Sequence, residues 1–120
     1  MALTYSFDGV VLTLTVLGHS TLEDRLISYE RIRFDASVPE GVPVILDVRS
    51  VMTDLSEATL IERLRVLITD LRPKLGTAMA MIVGEAHLPK SHGIQIAARE
   101  LGLRVGLFYD DQSARDWLRL

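Results

Sequence analysis

The chain contains no cysteine among its 120 residues. A disulfide framework, a thiolate nucleophile and a zinc–thiolate site are therefore excluded. The absence suits a reducing compartment, and a cytoplasmic protein is expected. A strong excess of charge is also missing. Thirteen Lys and Arg stand against sixteen Asp and Glu, a net charge of −3. Such a surface repels phosphate backbones, so nucleic acid is not an expected partner. No uninterrupted apolar run approaches the roughly 20 residues that cross a bilayer, and no membrane span is expected. Met1-Ala2-Leu3-Thr4-Tyr5 has no basic stretch leading into an apolar run, so no signal peptide is expected. The eight glycines are scattered. They form neither a phosphate-cradling loop nor a dinucleotide fingerprint, and no Gly-x-Ser-x-Gly elbow occurs. Without a nucleophile beside a base, the expectation is a non-enzymatic protein with no cofactor.

What is present is the material of an ordinary globular domain. Apolar residues make up 48% and charged residues 24%, which excludes intrinsic disorder. No repeat, low-complexity tract or linker divides the chain, so residues 1–120 read as a single domain. Tyr5 to Phe7 and Val10 to Leu17 read as strands, with Asp8-Gly9 as a two-residue hairpin turn. Ser20-Thr21-Leu22-Glu23 has the form of a capping box. It opens a helix through about Ala36, with Leu22, Leu26, Tyr29 and Ile32 or Arg33 on its inner stripe. Glu23, Asp24, Arg25, Glu30, Arg31 and Arg33 read as its solvated face.

Val42 to Val48 reads as a strand covered on both faces. Leu60, Ile61, Leu64, Leu67, Ile68 and Leu71 mark an amphipathic helix stopped by Pro73. Ala78 to Val83 is a further buried strand. A helix follows from Pro89 or Ser91 to Leu101, with Gly102 as a left-handed cap. Arg104 to Tyr109 is the last strand. Asp110-Asp111 then cap a short helix from Gln112 to about Arg119, which buries Ala114, Trp117 and Leu118. The order β-β-α-β-α-β-α-β-α predicts an α/β fold with a mainly parallel central sheet, an N-terminal hairpin and about four helices.

Three stretches carry a resemblance to a known family. They are Val44-Ile45-Leu46-Asp47-Val48-Arg49, Ala78-Met79-Ala80-Met81-Ile82-Val83-Gly84, and Val105-Gly106-Leu107-Phe108-Tyr109-Asp110-Asp111 followed by Ala114, Trp117 and Leu118. Together they resemble the STAS-like domains related to the sporulation anti-sigma-factor antagonists. The resemblance implies a STAS-like fold and a regulatory, protein-binding role. In regulatory members a partner kinase phosphorylates a serine just after the central strand, and Ser56 matches that position. The surroundings depart from the family pattern. Leu55 replaces the usual acidic residue, and Glu57, Ala58 and Thr59 replace small residues and glycine. These departures suit a divergent branch that has been compared with lipid-binding folds.

Several candidate sites follow. Ser56 is either a phosphorylation switch or a helix cap, a role Asp54 with Glu57 can also fill. Ligands of open α/β sheets bind beyond the carboxyl ends of parallel strands. Those ends give a ligand or partner rim of Asp47, Arg49, Asp54, Glu85, His87 and Asp110, unless these are plain loop residues and caps. His87 and His92 with Glu85 are ligand types for zinc, but nothing fixes their geometry and no metal site is assigned. Met79 and Met81, with Met52 nearby, either line an adaptable apolar pocket or belong to the core. Ile27 and Phe34 lie off the inner stripe of the first helix and form a candidate face for a homodimer. The leading expectation is a protein-interaction module. The alternatives are a binder of a small apolar molecule or lipid and a ligand-free homodimer.

Overall fold

A computed structural model describes residues 3–17, 20–50, 55–84 and 88–120, the side chains of 88–91 excepted. Strands β1 (Leu3–Phe7), β2 (Leu12–Val16), β3 (Val42–Asp47), β4 (Leu75–Ile82) and β5 (Arg104–Phe108) alternate with helices α1 (Leu22–Arg33), α2 (Glu57–Leu71), α3 (Leu88–Glu100) and α4 (Asp111–Leu118). The element order is the expected one. The strands form one sheet in sequential order, β1-β2-β3-β4-β5. β1 pairs antiparallel with β2, and every later pair is parallel. A sheet that grows in one direction by crossovers of one hand places all its crossover helices on one face. Accordingly Tyr29 and Ile32 of α1, Leu64 and Ile68 of α2, and Ile94 and Ala98 of α3 share one core with Leu14, Leu46, Met79 and Met81 of the sheet. Among the described elements α4 alone covers the other face, where Ala114 packs with Val11, Ile45, Ala80 and Ile82. The rest of that face, over β1 and β2, carries Thr4, Ser6, Thr13 and Thr15 and needs no cover.

Local chemistry moves several boundaries from their expected places. The hairpin loop runs over Asp8 to Val11, longer than two residues. The Asp8 carboxylate accepts from the amides of Val10 and Val11, both at 2.9 Å, and this holds the chain out of the ladder. Gly9 takes φ +97 there. The N-cap of α1 is Thr21 and not Ser20: Thr21 Oγ1 accepts from the Asp24 amide at 3.1 Å. Ser20 instead accepts from the Arg25 guanidinium. The helix stops at Arg33, because Asp35 turns the chain by accepting from the amide and hydroxyl of Ser37. β4 starts at Leu75, three residues earlier than expected, where the amides of Gly41 and Val42 bond the Lys74 carbonyl.

The inner stripe of α1 is also corrected. Leu22 and Leu26 are exposed, and the helix buries Ser28, Tyr29 and Ile32. Ser28 meets its hydrogen-bonding need by donating to the Asp24 carbonyl at 3.1 Å. The stripe is rotated so that Arg25, expected in solvent, turns inward and is half-buried. Arg33 is half-buried too, 3.6 Å from Asp70 of α2. β1 starts at Leu3, two residues before the expected Tyr5, and α4 fully buries Ala114 alone of its three expected residues, Trp117 and Leu118 being half-buried. The remaining elements fall within a residue or two of where periodicity and caps place them. Gly102, at φ +84, ends α3.

Candidate functional site

Among the described residues, the helix layer leaves a gap near the carboxyl ends of the strands. A cavity of about 50 Å³ lies there between the sheet and the helices. Its floor is Val16, Leu46, Val48 and Met81, and its walls include Tyr29, Leu60, Leu64 and Ile94. The alternation of β3 explains the floor. Leu46 and Val48 point into the helix layer, while Asp47 points to the α4 side. The cavity therefore sits near the predicted rim, but it is lined by the residues between the ones named for it.

Among the described residues two arginines also line it, Arg25 of α1 and Arg63 of α2. Arg25 Nη1 donates to the carbonyl of Ser20 at 2.8 Å and to its hydroxyl at 3.2 Å. Its Nε is buried with no hydrogen-bond partner among the described residues. A buried donor left unpaired costs about 1–3 kcal/mol. Arg63 is partly withdrawn from water, and this burial, together with the nearby Arg25 charge, lowers its pKa. A guanidinium remains protonated all the same. Tyr29 lies against both, its phenol pushed up to about 12 mainly by burial. The site is an apolar hollow with two cations on its lining.

The predicted rim residues have other employment. Asp47 accepts from Arg49 three times: from its amide and Nε at 3.1 Å and from Nη2 at 2.8 Å. Burial alone would raise this carboxyl, but the Arg49 hydrogen bonds and charge outweigh it and hold it below the ordinary range. Asp110 caps α4 by accepting from the Ser113 amide at 2.7 Å, and that bond is the main reason its pKa falls. Ser56 caps α2. Its exposed hydroxyl accepts from the Thr59 amide at 3.2 Å and donates to Thr59 Oγ1 at 3.0 Å. Asp54, Glu85 and His87 lie outside the described residues, as do His19 and Met52. His92 is exposed. Among the described residues, no three His, Asp or Glu side chains are grouped to hold a metal ion. Met81 lines the cavity, whereas Met79 is core.

Sequence reasoning missed Arg25, Tyr29 and Arg63 as a group. A signal was available. Arg25 stands four and seven residues before the buried Tyr29 and Ile32, on one helical stripe. Arg63 is adjacent to the buried Leu64 and three residues from the buried Leu60. An arginine on an inward stripe is a charge with a reason to be there.

A second surface stands out on the outside of α1. Leu22, Leu26, Ile27 and Phe34 are all exposed, Phe34 at 78%. With Glu23, Glu30, Arg33 and Asp70, the first three line a shallow groove. No helix among the described residues is long and apolar enough to cross a membrane. Comparison with protein-family models, curated proteins and solved structures finds no match.

Proposed function

We propose that this chain is a non-enzymatic binding module that takes a small, largely apolar molecule into the cavity beneath α1 and α2. The observation that carries the reading is the cavity itself, an apolar space among the described residues near the carboxyl ends of β2, β3 and β4. Open α/β sheets offer ligands that end of the strands, and small-molecule sites are concave and mostly apolar with a few placed polar groups. The STAS-like resemblance adds a regulatory role, with the ligand as the signal and Ser56 an exposed hydroxyl for modification at the start of α2, a helix that walls the cavity. A native mass spectrum of the protein taken from its own cells is expected to carry an added small mass. Filling the hollow by Leu64→Phe is expected to remove it. A ligand at one hundred times its Kd also raises stability by about 2.7 kcal/mol. A bare polypeptide mass, with no thermal stabilisation by a library of small apolar compounds, overturns the reading.

The outer face of α1 favours a second reading, self-association. Its exposed apolar residues are flanked by acidic Glu23 and Asp24 in the first turn and by basic Arg31 in the last, beside Arg33, which holds Asp70. An antiparallel pairing of two copies about a two-fold axis sets each acidic end against a basic one. The partner for this face is thus a second copy of the chain. Light scattering is expected to give twice the monomer mass, and Ile27→Asp with Phe34→Ser to give the monomer. A wild-type chain that stays monomeric at high concentration rejects the dimer.

A further inference from the structure

We propose that the cavity is specific for an organic anion with a short apolar tail, its carboxylate or phosphate head held by Arg25 and Arg63. This rests on the binding reading above and adds the charge and size of the ligand. Arg33, Arg49 and Arg115 each hold an aspartate. Arg25 and Arg63 hold none among the described residues, yet they share the lining of one cavity and feel each other's charge. Asp70, which Tyr29 feels, is taken by Arg33.

Two like charges brought together and partly stripped of water are unfavourable on both counts. A bound anion reverses both. A guanidinium also presents its donors as a planar fork that fits a carboxylate or phosphate edge. The Nε of Arg25 is buried without a partner among the described residues, so the fork of Arg25 is not used up within the protein. Size follows from volume. A water occupies about 10–15 Å³ on this measure, so a cavity of about 50 Å³ takes a tail of a few carbons rather than a long acyl chain. Leu46, Val48, Leu64 and Met81 surround that tail.

Calorimetric titration with hexanoate, hexyl phosphate and hexan-1-ol tests the head and the tail separately. Either anion is expected to bind the wild-type chain about tenfold or more tighter than the alcohol. Arg63→Met keeps the stem and removes the charge, and is expected to bring the anion down to the alcohol's affinity. Arg25→Gln is the second variant, should the first fold poorly. The tighter of the two anions identifies the head group. Equal affinity for anion and alcohol overturns the charge inference and leaves the binding reading standing. No binding by any of the three overturns both.

Discussion

Asp47 shows how a residue can be placed correctly and still have its role hidden. It ends β3 as the strand pattern requires, at the edge where α/β ligands bind. Its partner is Arg49, two positions along the same chain. A folded carboxyl held below its ordinary pKa adds stability above the unfolded value near 3.9, and loses it as pH falls through the folded value. Arg49 is about half exposed, at 53%, so the pair is worth at most about 1 kcal/mol. Asp47→Asn is therefore expected to cost up to about that much at pH 7. The gap between variant and wild type should close as pH falls from about 4, the unfolded value, through the lower folded one. Urea melts across that range measure it, and a gap that is constant with pH refutes the ionic role. Arg25 is the opposite case. Its charge was legible, but its direction was set by how α1 rotates on α2, which is a property of packing and not of the local stretch. A Tyr29 phenol with a pKa near 12 belongs to the same hidden group, because its burial depends on the whole helix layer.

Caps and close contacts decide where the elements stand. Ser56 reads as both switch and cap, and the hydrogen bond to Thr59 makes the cap concrete. Ser56→Ala is expected to lower stability by about 1 kcal/mol. Ser56→Asp should stay within a few tenths of wild type, because aspartate caps as well and suits the helix dipole. Denaturant melts of the two variants test this, and equal losses would remove the cap argument. An acidic mimic of phosphoserine thus leaves α2 anchored, so any change in partner binding reports on charge and not on an unravelled helix. At the other end of the chain, α4 docks through Gly106. A Cβ there meets Phe108 at 2.7 Å and Trp117 at 3.0 Å. Those two rings pack at 5.5 Å between centroids, and Arg104 lies 4.8 Å from the Trp117 ring centre. Gly106→Val is expected to push α4 off the sheet at a cost of about 1–3 kcal/mol. A red shift in the fluorescence of Trp117 would accompany it, and an unshifted spectrum contradicts the contact. The glycine was visible in the strand. Its reason was half visible: Phe108, two positions on along the same face of β5, fills the space, but Trp117, which holds that ring over Gly106, comes from α4.

For the molecule as a whole, periodicity carried the architecture. Buried runs gave β3, β4 and β5, the Leu60–Leu71 spacing gave α2, and Gly102 gave the end of α3. Terminal residues of strands were less legible, because Asp8 and Lys74 set them through bonds that periodicity does not encode. The cavity was legible only as a region, since a void belongs to no single segment. The architecture also ranks local stability. β3 has a strand on each side and apolar cover on both faces, whereas β1 is an edge with one polar face. Amide hydrogen exchange is expected to be slowest in β3 and β4 and faster in β1 and α4. Protection in β1 equal to that in β3 would contradict the ranking. The sequential strand order bears on time as well. Each strand waits only for the next segment the chain supplies, and no pairing needs distant stretches to find each other first. Loop-closure entropy is met in small steps, so the sheet can grow outward from a β3–β4 nucleus at a rate fast for a parallel sheet. A chain emerging from a ribosome can lay down β1 to β4 in order, with α4 closing the second face last.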